Sequence, residues 1–142
     1  MFKLHPQLNN DGQIIGQFSL CQLLLMNDAN YPWFILVPAR EGISEVYQLS
    51  AEDQQLLWSE STQLSAGLME VFQGDKMNIA ALGNVVPQLH VHHVVRYTSD
   101  VAWPAPVWGK VTAKPYNDAE RKAVLETLFQ LPIFELGFNR QV

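Results

Sequence analysis

An α+β fold is predicted by this sequence: a largely antiparallel sheet of about five strands, one long helix and a C-terminal helix. Three observations carry the prediction. Short apolar runs bounded by turn residues recur through the first hundred positions. One stretch of about two dozen residues has its apolar side chains at helical spacing. The elements fall in the order strand, strand, strand, helix, strand, strand, helix, which suits an antiparallel sheet with segregated helices.

The elements follow from the residues in turn. Residues 6–13 hold Pro6, Asn9, Asn10, Asp11 and Gly12 and read as a surface loop. "FSLCQLLLMN" (18–27) is apolar and runs into Asn27 and Asp28, a strand meeting a turn. "WFILVP" (33–38) is a continuous apolar run stopped by Pro38, as in a strand buried on both faces. "ISEVYQL" (43–49) alternates and reads as a short strand. Ser50 is a good N-cap, with Asp53 at the acidic position of a near capping box. Leu57, Leu64, Leu68, Val71 and Phe72 then recur at helical spacing, and Gly74 stops the run, giving a helix over about 51–73. "KMNIAALGN" (76–84) and "PQLHVHHVVRY" (87–97) read as two more strands, turned at Gly83 and Asn84. Residues 99–109, with two prolines and two tryptophans, are irregular. Asn117 and Glu120 start a second helix over about 118–130.

Composition narrows the function classes. With 48% hydrophobic and 16% charged residues over 142 positions, the chain is globular and of single-domain size. A net charge of −5 argues against a nucleic-acid backbone binder. A small anionic ligand remains compatible, because a few local donors outweigh a modest global field. Cys21, the single cysteine, cannot form an internal disulfide, which fits a reducing compartment. The N-terminus has no basic start followed by an apolar stretch, and the longest apolar runs are too short to span a bilayer. The expectation is a soluble cytoplasmic protein that engages neither membrane nor nucleic acid.

Three of the four histidines stand in "PQLHVHHVVR" (87–96). Alternation along a strand puts Gln88, His90, His92, Val94 and Arg96 on one face, and Leu89, Val91, His93, Val95 and Tyr97 on the other. His90 and His92 therefore point to one side, about 6–7 Å apart at the backbone. His93 falls among apolar neighbours and reads as structural. For His90 and His92 three readings stand: hydrogen-bonded strand residues, zinc ligands, or a catalytic pair. A metal would have to recruit His5, Cys21 or a carboxylate, since there is no Cys pair and no HExxH motif. A neutral imidazole whose other nitrogen is held by an acceptor is a nucleophile toward phosphorus. Its neighbour can bind a phosphate oxygen or protonate a leaving group. Backbone N–H groups at Gly83 and Asn84 can cradle phosphate.

"GNVVPQLHVHHVVR" (83–96) resembles the signature of the histidine triad superfamily of nucleotide hydrolases and transferases. Gly83 matches the glycine of that pattern, Asn84 takes its glutamine position, and Gln88, His90 and His92 fall on the three histidines, with Arg96 on the arginine. "YPWFILVPAR" (31–40) resembles the strand ending in Val-Pro-Lys/Arg, and "YQLSAEDQQLL" (47–57) the start of the helix. The resemblance implies a HIT-like fold in a single domain over residues 1–142, with its core at about 18–97 and a C-terminal extension at 98–142. It implies a homodimer without cofactor or metal. His90 is the implied nucleophile toward a nucleotide α-phosphorus, and His92 binds phosphate or acts on the leaving group. Gln88, Asn84, Gly83, Asn78 and Trp33 are the implied substrate-binding residues. Implied substrates are dinucleoside polyphosphates or nucleoside phosphoramidates. The triad is degenerate: Gln88 replaces its first histidine, and Trp33 replaces the histidine usual in the earlier strand. Those losses motivate the alternative of a nucleotide-binding protein without turnover. Trp103 and Trp108 lie beyond the signature and read as packing of the tail, with stacking on a base as the alternative. Asp100 reads as a solvated turn residue, with a pair to Arg96 as the alternative.

Overall fold

The structure, a computed structural model, describes residues 1–135 and 137–142. Among these residues six strands form one sheet: β1 (Gly12–Gln17), β2 (Cys21–Met26), β3 (Trp33–Pro38), β4 (Lys76–Ala80), β5 (Val91–Arg96) and β6 (Asn139–Arg140). Their order across the sheet is β4-β5-β3-β2-β1-β6, and every neighbouring pair is antiparallel. The expectation of an α+β fold on an antiparallel sheet therefore holds, with six strands instead of about five. The helices are α1 (Pro6–Asp11), α2 (Ala51–Val71) and α3 (Asp118–Leu128).

The N-terminal helix signals act as read, whereas α2 ends at Val71 and the left-handed position after it is taken by Gln73, at a φ of +50°, and not by Gly74. Ser50 Oγ accepts from the Asp53 amide, and Asn117 and Glu120 form a reciprocal capping box. Leu57, Leu64 and Leu68 on α2, with Leu128 at the end of α3, pack on Leu23, Leu25, Phe34, Leu36, Val91 and Val95 of one sheet face. The opposite face presents Leu24, Trp33, Ile35, Val37 and Val94, covered by Leu8 of α1 and by Val86, Ala102 and Val107 from loops. β3 is buried at every position, as its unbroken apolar run requires.

Four further expectations are corrected. Residues 6–11, read as loop, form α1: Pro6 takes the first helical position, where a missing N–H costs nothing, and His5 Nδ1 accepts from the Gln7 amide as N-cap. Residues 12–17 are β1, where Gly16 admits β6 at a distance that a Cβ would close against the Asn139 carbonyl and the Phe138 ring. The segment 43–49 holds a 3-10 turn at Val46–Gln48 in place of a strand. There the Gln48 side chain accepts from Ser44 N, Ser44 Oγ and Glu45 N, and such local bonds displace a ladder. Residues 81–90 lie outside the sheet. Gly83 turns the chain at a φ of +69°, a left-handed conformation natural to glycine, so β5 begins only at Val91.

Candidate active site

The second sheet face carries a cleft of about 400 Å³. Its apolar wall comes from Leu8, Met26, Ile35, Val86 and Trp108, and its polar groups are His90, His92, Asn84, Gln7 and Asp11. Gly83 and Trp33 also line it. A mostly apolar concavity with a few convergent polar groups is the usual form of a small-molecule site.

Strand alternation survives at the histidines although His90 precedes β5. The rings of His90 and His92 lie 4.9 Å apart, centroid to centroid, on the cleft side. His93 points to the helical face and is fully buried. Its Nδ1 lies 3.0 Å from the Val91 carbonyl, and its Nε2 lies 2.7 Å from Ser61 Oγ of α2. A carbonyl only accepts, so Nδ1 carries the hydrogen and the Ser61 hydroxyl donates to Nε2. Burial lowers the His93 pKa to about 4, and the ring is a neutral strut between helix and sheet.

His90 is held by one bond. Its Nδ1 is 2.7 Å from the backbone carbonyl of Gln88. By the same argument Nδ1 is the N–H, and Nε2 of the neutral ring keeps a free lone pair. His92 is buried against aromatic rings: Trp108 at 5.2 Å and Trp33 at 5.6 Å between centroids. The Trp33 indole N–H donates to His92 Nδ1 over 3.0 Å. Burial, reinforced by His90 and then His93, lowers the His92 pKa to about 3.

The other sequence-derived residues divide. Gly83, Asn84 and Trp33 line the cleft with the two histidines; Gln88 and Asn78 do not. The Gln88 side chain is engaged by the N-terminal arm: its Nε2 donates to the Lys3 carbonyl and its Oε1 accepts from the His5 amide, each over 2.8 Å. Asn78 Oδ1 accepts from Arg96 Nη1 over 2.9 Å. Asp100, read as a solvated turn residue, is instead buried and paired with Arg96 through both carboxylate oxygens, at 2.8 and 3.0 Å. Burial pulls the Asp100 pKa up, but the Arg96 hydrogen bond and backbone N–H donors outweigh it and hold the carboxyl below the usual range. Arg96 also donates to the Ala105 carbonyl and lies against the Tyr31 and Trp103 rings. This knot fastens the 98–109 loop. Trp103 packs within the knot, whereas Trp108, read as packing, faces the cleft.

Gln7, Leu8 and Asp11 were missed because residues 6–13 read as surface. The Pro6 position, followed by Gln7 and Asp11 four apart, was the available signal. Those two side chains are bonded over 2.7 Å on the cleft side of α1. Cys21 is buried in the helical-face core, where burial and the Glu60 carboxylate push its thiol pKa up. Among the described residues, no group of three or more His, Cys, Asp or Glu side chains is gathered as metal ligands. None of the described helices is long and apolar enough to cross a membrane.

The HIT domain model matches residues 7–99. The chain is similar to a histidine triad protein of Marinobacter aquaeolei VT8, with 55% identity and a TM-score of 0.86 over 92% of this chain and 98% of that one. It is also similar to a histidine triad protein of Bradyrhizobium japonicum, with 42% identity and a TM-score of 0.89 over 92% and 97% of the two chains. A third histidine triad protein, of Sinorhizobium meliloti 1021, gives 43% identity and a TM-score of 0.89 over the same shares. No curated protein matches. With its histidine pair in the cleft and the HIT pattern matched over most of its length, the chain belongs to the histidine triad family.

Proposed function

We propose that the cleft binds a nucleotide and that His90 attacks its α-phosphorus. The observation that carries this reading is the bond from His90 Nδ1 to the Gln88 carbonyl, which leaves Nε2 bare beside a cleft of small-molecule size. The lone pair of Nε2 forms an N–P bond while the bond from phosphorus to the leaving group breaks and takes its electron pair with it. Water then attacks the nucleotidyl-histidine: an O–P bond forms, the N–P bond returns its pair to Nε2, and the water proton passes to solvent. A nucleoside monophosphate is released. His92 and the backbone at Gly83 and Asn84 stabilise charge on the phosphoryl oxygens. Asn84 and Trp33 contribute to the walls around the substrate. Gln88 acts through its backbone, and Asn78 through Arg96, so neither is assigned a substrate contact. Substrates are dinucleoside polyphosphates or nucleoside phosphoramidates. The chain works without a metal, as one domain over residues 1–142, in a cytoplasmic homodimer.

A second reading, nucleotide binding without turnover, is favoured by the engagement of Gln88 with the N-terminal arm and by Trp33 at a position the family fills with histidine. The test is release of AMP from a diadenosine polyphosphate, with and without chelator, by wild type, His90→Ala and His92→Ala. Chelator-resistant release that His90→Ala abolishes and His92→Ala slows supports the nucleophile. If His92→Ala were the dead variant, the two roles would be exchanged. Binding of nucleotides without release would favour the second reading.

A further inference from the structure

We propose that Trp33 is a positioning residue that fixes His92 as a neutral ring protonated only at Nε2, so that His92 gives phosphate a hydrogen bond but gives the leaving group no proton. The proposal rests on the catalytic reading above. An indole N–H donates and never accepts. The atom 3.0 Å from it, His92 Nδ1, must therefore hold a lone pair, and the ring hydrogen sits on Nε2. His90 has the opposite arrangement, with its hydrogen on Nδ1 and a bare Nε2. Side by side, the two rings offer one nucleophilic lone pair and one N–H donor. A second proton on His92 would set two N–H groups against each other across the same 3.0 Å.

The surroundings act in the same direction. Across the sheet His92 is paired with Ile35 of β3 and Ala80 of β4, neither of them charged. Trp33 and Trp108 flank its ring. His90 is beside it and His93 lies on the opposite face of β5; Asp11 of α1 is the carboxylate that shares the cleft. Burial and the two histidines oppose a cationic His92.

The consequence is a substrate preference. With no proton supplied by His92, the leaving group must depart as a stable anion. A phosphate or polyphosphate does so; an amine does not. The site is thus built for phosphoanhydrides rather than phosphoramidates, which narrows the substrate class.

Nitrogen-15 NMR of the imidazoles reads the tautomer without turnover. Wild type should show His92 protonated at Nε2 alone, with no titration between pH 5 and 8. Trp33→Phe, which keeps a buried ring and removes the donor, should mix the tautomers while the titration stays low, because burial and the neighbouring histidines persist. A wild-type His92 carrying its hydrogen on Nδ1, or titrating near pH 6.5, would overturn the assignment. In kinetics, wild type should turn over diadenosine triphosphate at least tenfold faster than an adenosine phosphoramidate with an alkylamine leaving group. Equal rates, or a faster phosphoramidate, would also overturn it. The predicted tautomer together with binding of both substrates but turnover of neither would leave the tautomer assignment standing and remove the catalytic reading on which it rests.

Discussion

Gln88 and His90 are joined by a 2.7 Å bond from the imidazole Nδ1 to the Gln88 carbonyl, while the Gln88 amide holds Lys3 and His5 of the N-terminal arm. One residue thus separates two tasks. Its main chain orients the nucleophile, which any residue type could do. Its side chain anchors the segment that leads into α1 and the cleft wall. Gln88→Ala should release the arm and keep the orientation of His90. Two hydrogen bonds contribute about 1–3 kcal/mol net. Denaturant unfolding should fall by that amount, and limited proteolysis should cut ahead of Pro6. A variant as stable and as protease-resistant as wild type would show that the arm is held by other contacts.

The Arg96–Asp100 pair is expected to dominate local stability. Both side chains are almost fully buried, at 2% and 3% exposure, so removing one partner leaves a charge in a poor solvent. Asp100→Asn should cost about 3–5 kcal/mol in equilibrium unfolding. The carboxyl sits below its ordinary range, so its contribution is complete above about pH 4 and is lost as pH falls further through the folded-state value. A destabilisation under about 1 kcal/mol would mean that Arg96 is solvated on loss of its partner.

Ser61 and His93 give a second stability test, away from the cleft. Ser61→Ala removes the donor to a buried ring nitrogen and should cost about 1–3 kcal/mol. Nucleotide affinity should not change, because His93 faces the helical side of the sheet. A change in affinity without a change in stability would contradict that placement.

The buried histidines also set a pH dependence opposite in origin to that of a salt bridge. His92 and His93 have folded-state values of about 3 and about 4, against about 6.5 for a free imidazole. Between those limits the unfolded chain binds more protons, so stability falls as pH drops below about 6.5. By pH 5 the loss is roughly 2 kcal/mol for each histidine. Denaturant midpoints measured from pH 7.5 to pH 5 should decline steadily; a decline of half that size would show that one ring is protonated when folded, and a flat profile that both are.

Much of this was legible in the chain because the signals were local. The period of Leu57, Leu64 and Leu68, the caps at Ser50 and Asn117, and the unbroken run of β3 each specify an element without reference to the rest. The histidine faces followed from alternation alone. What was illegible depended on distant partners. Gln88 could not be assigned to the N-terminal arm, because Lys3 and His5 lie more than eighty positions away. Asn78 was misread for the same reason: Arg96, 18 positions on, claims it, and a side chain able to bind ligand is equally able to bind an arginine. Asp100 is different, since Arg96 is only four positions away and the pair was open as an alternative; what the sequence did not give was the burial of both side chains. Residues 6–11 look like a loop by composition, and only the packing of Leu8 on the sheet makes a six-residue helix worth forming.

Trp108 is placed to meet the flat part of a ligand. Its ring lies 5.8 Å from Trp33 and 5.2 Å from His92, on the loop that Arg96 fastens through Asp100 and the Ala105 carbonyl. Stacking of a base on an aromatic side chain is worth about 1–3 kcal/mol and tolerates any base. Trp108→Ala should therefore weaken nucleotide binding by roughly 5- to 150-fold. Binding of adenine and guanine nucleotides should suffer alike in a calorimetric titration, and unfolding stability should change little, since the ring is only partly buried. Trp103→Ala, in contrast, should lower stability through the lost contact with Arg96 and reach the ligand only if the loop itself moves. Equal loss of affinity in both variants would mean that the loop acts as a unit; loss in Trp103→Ala alone would remove Trp108 from the binding surface.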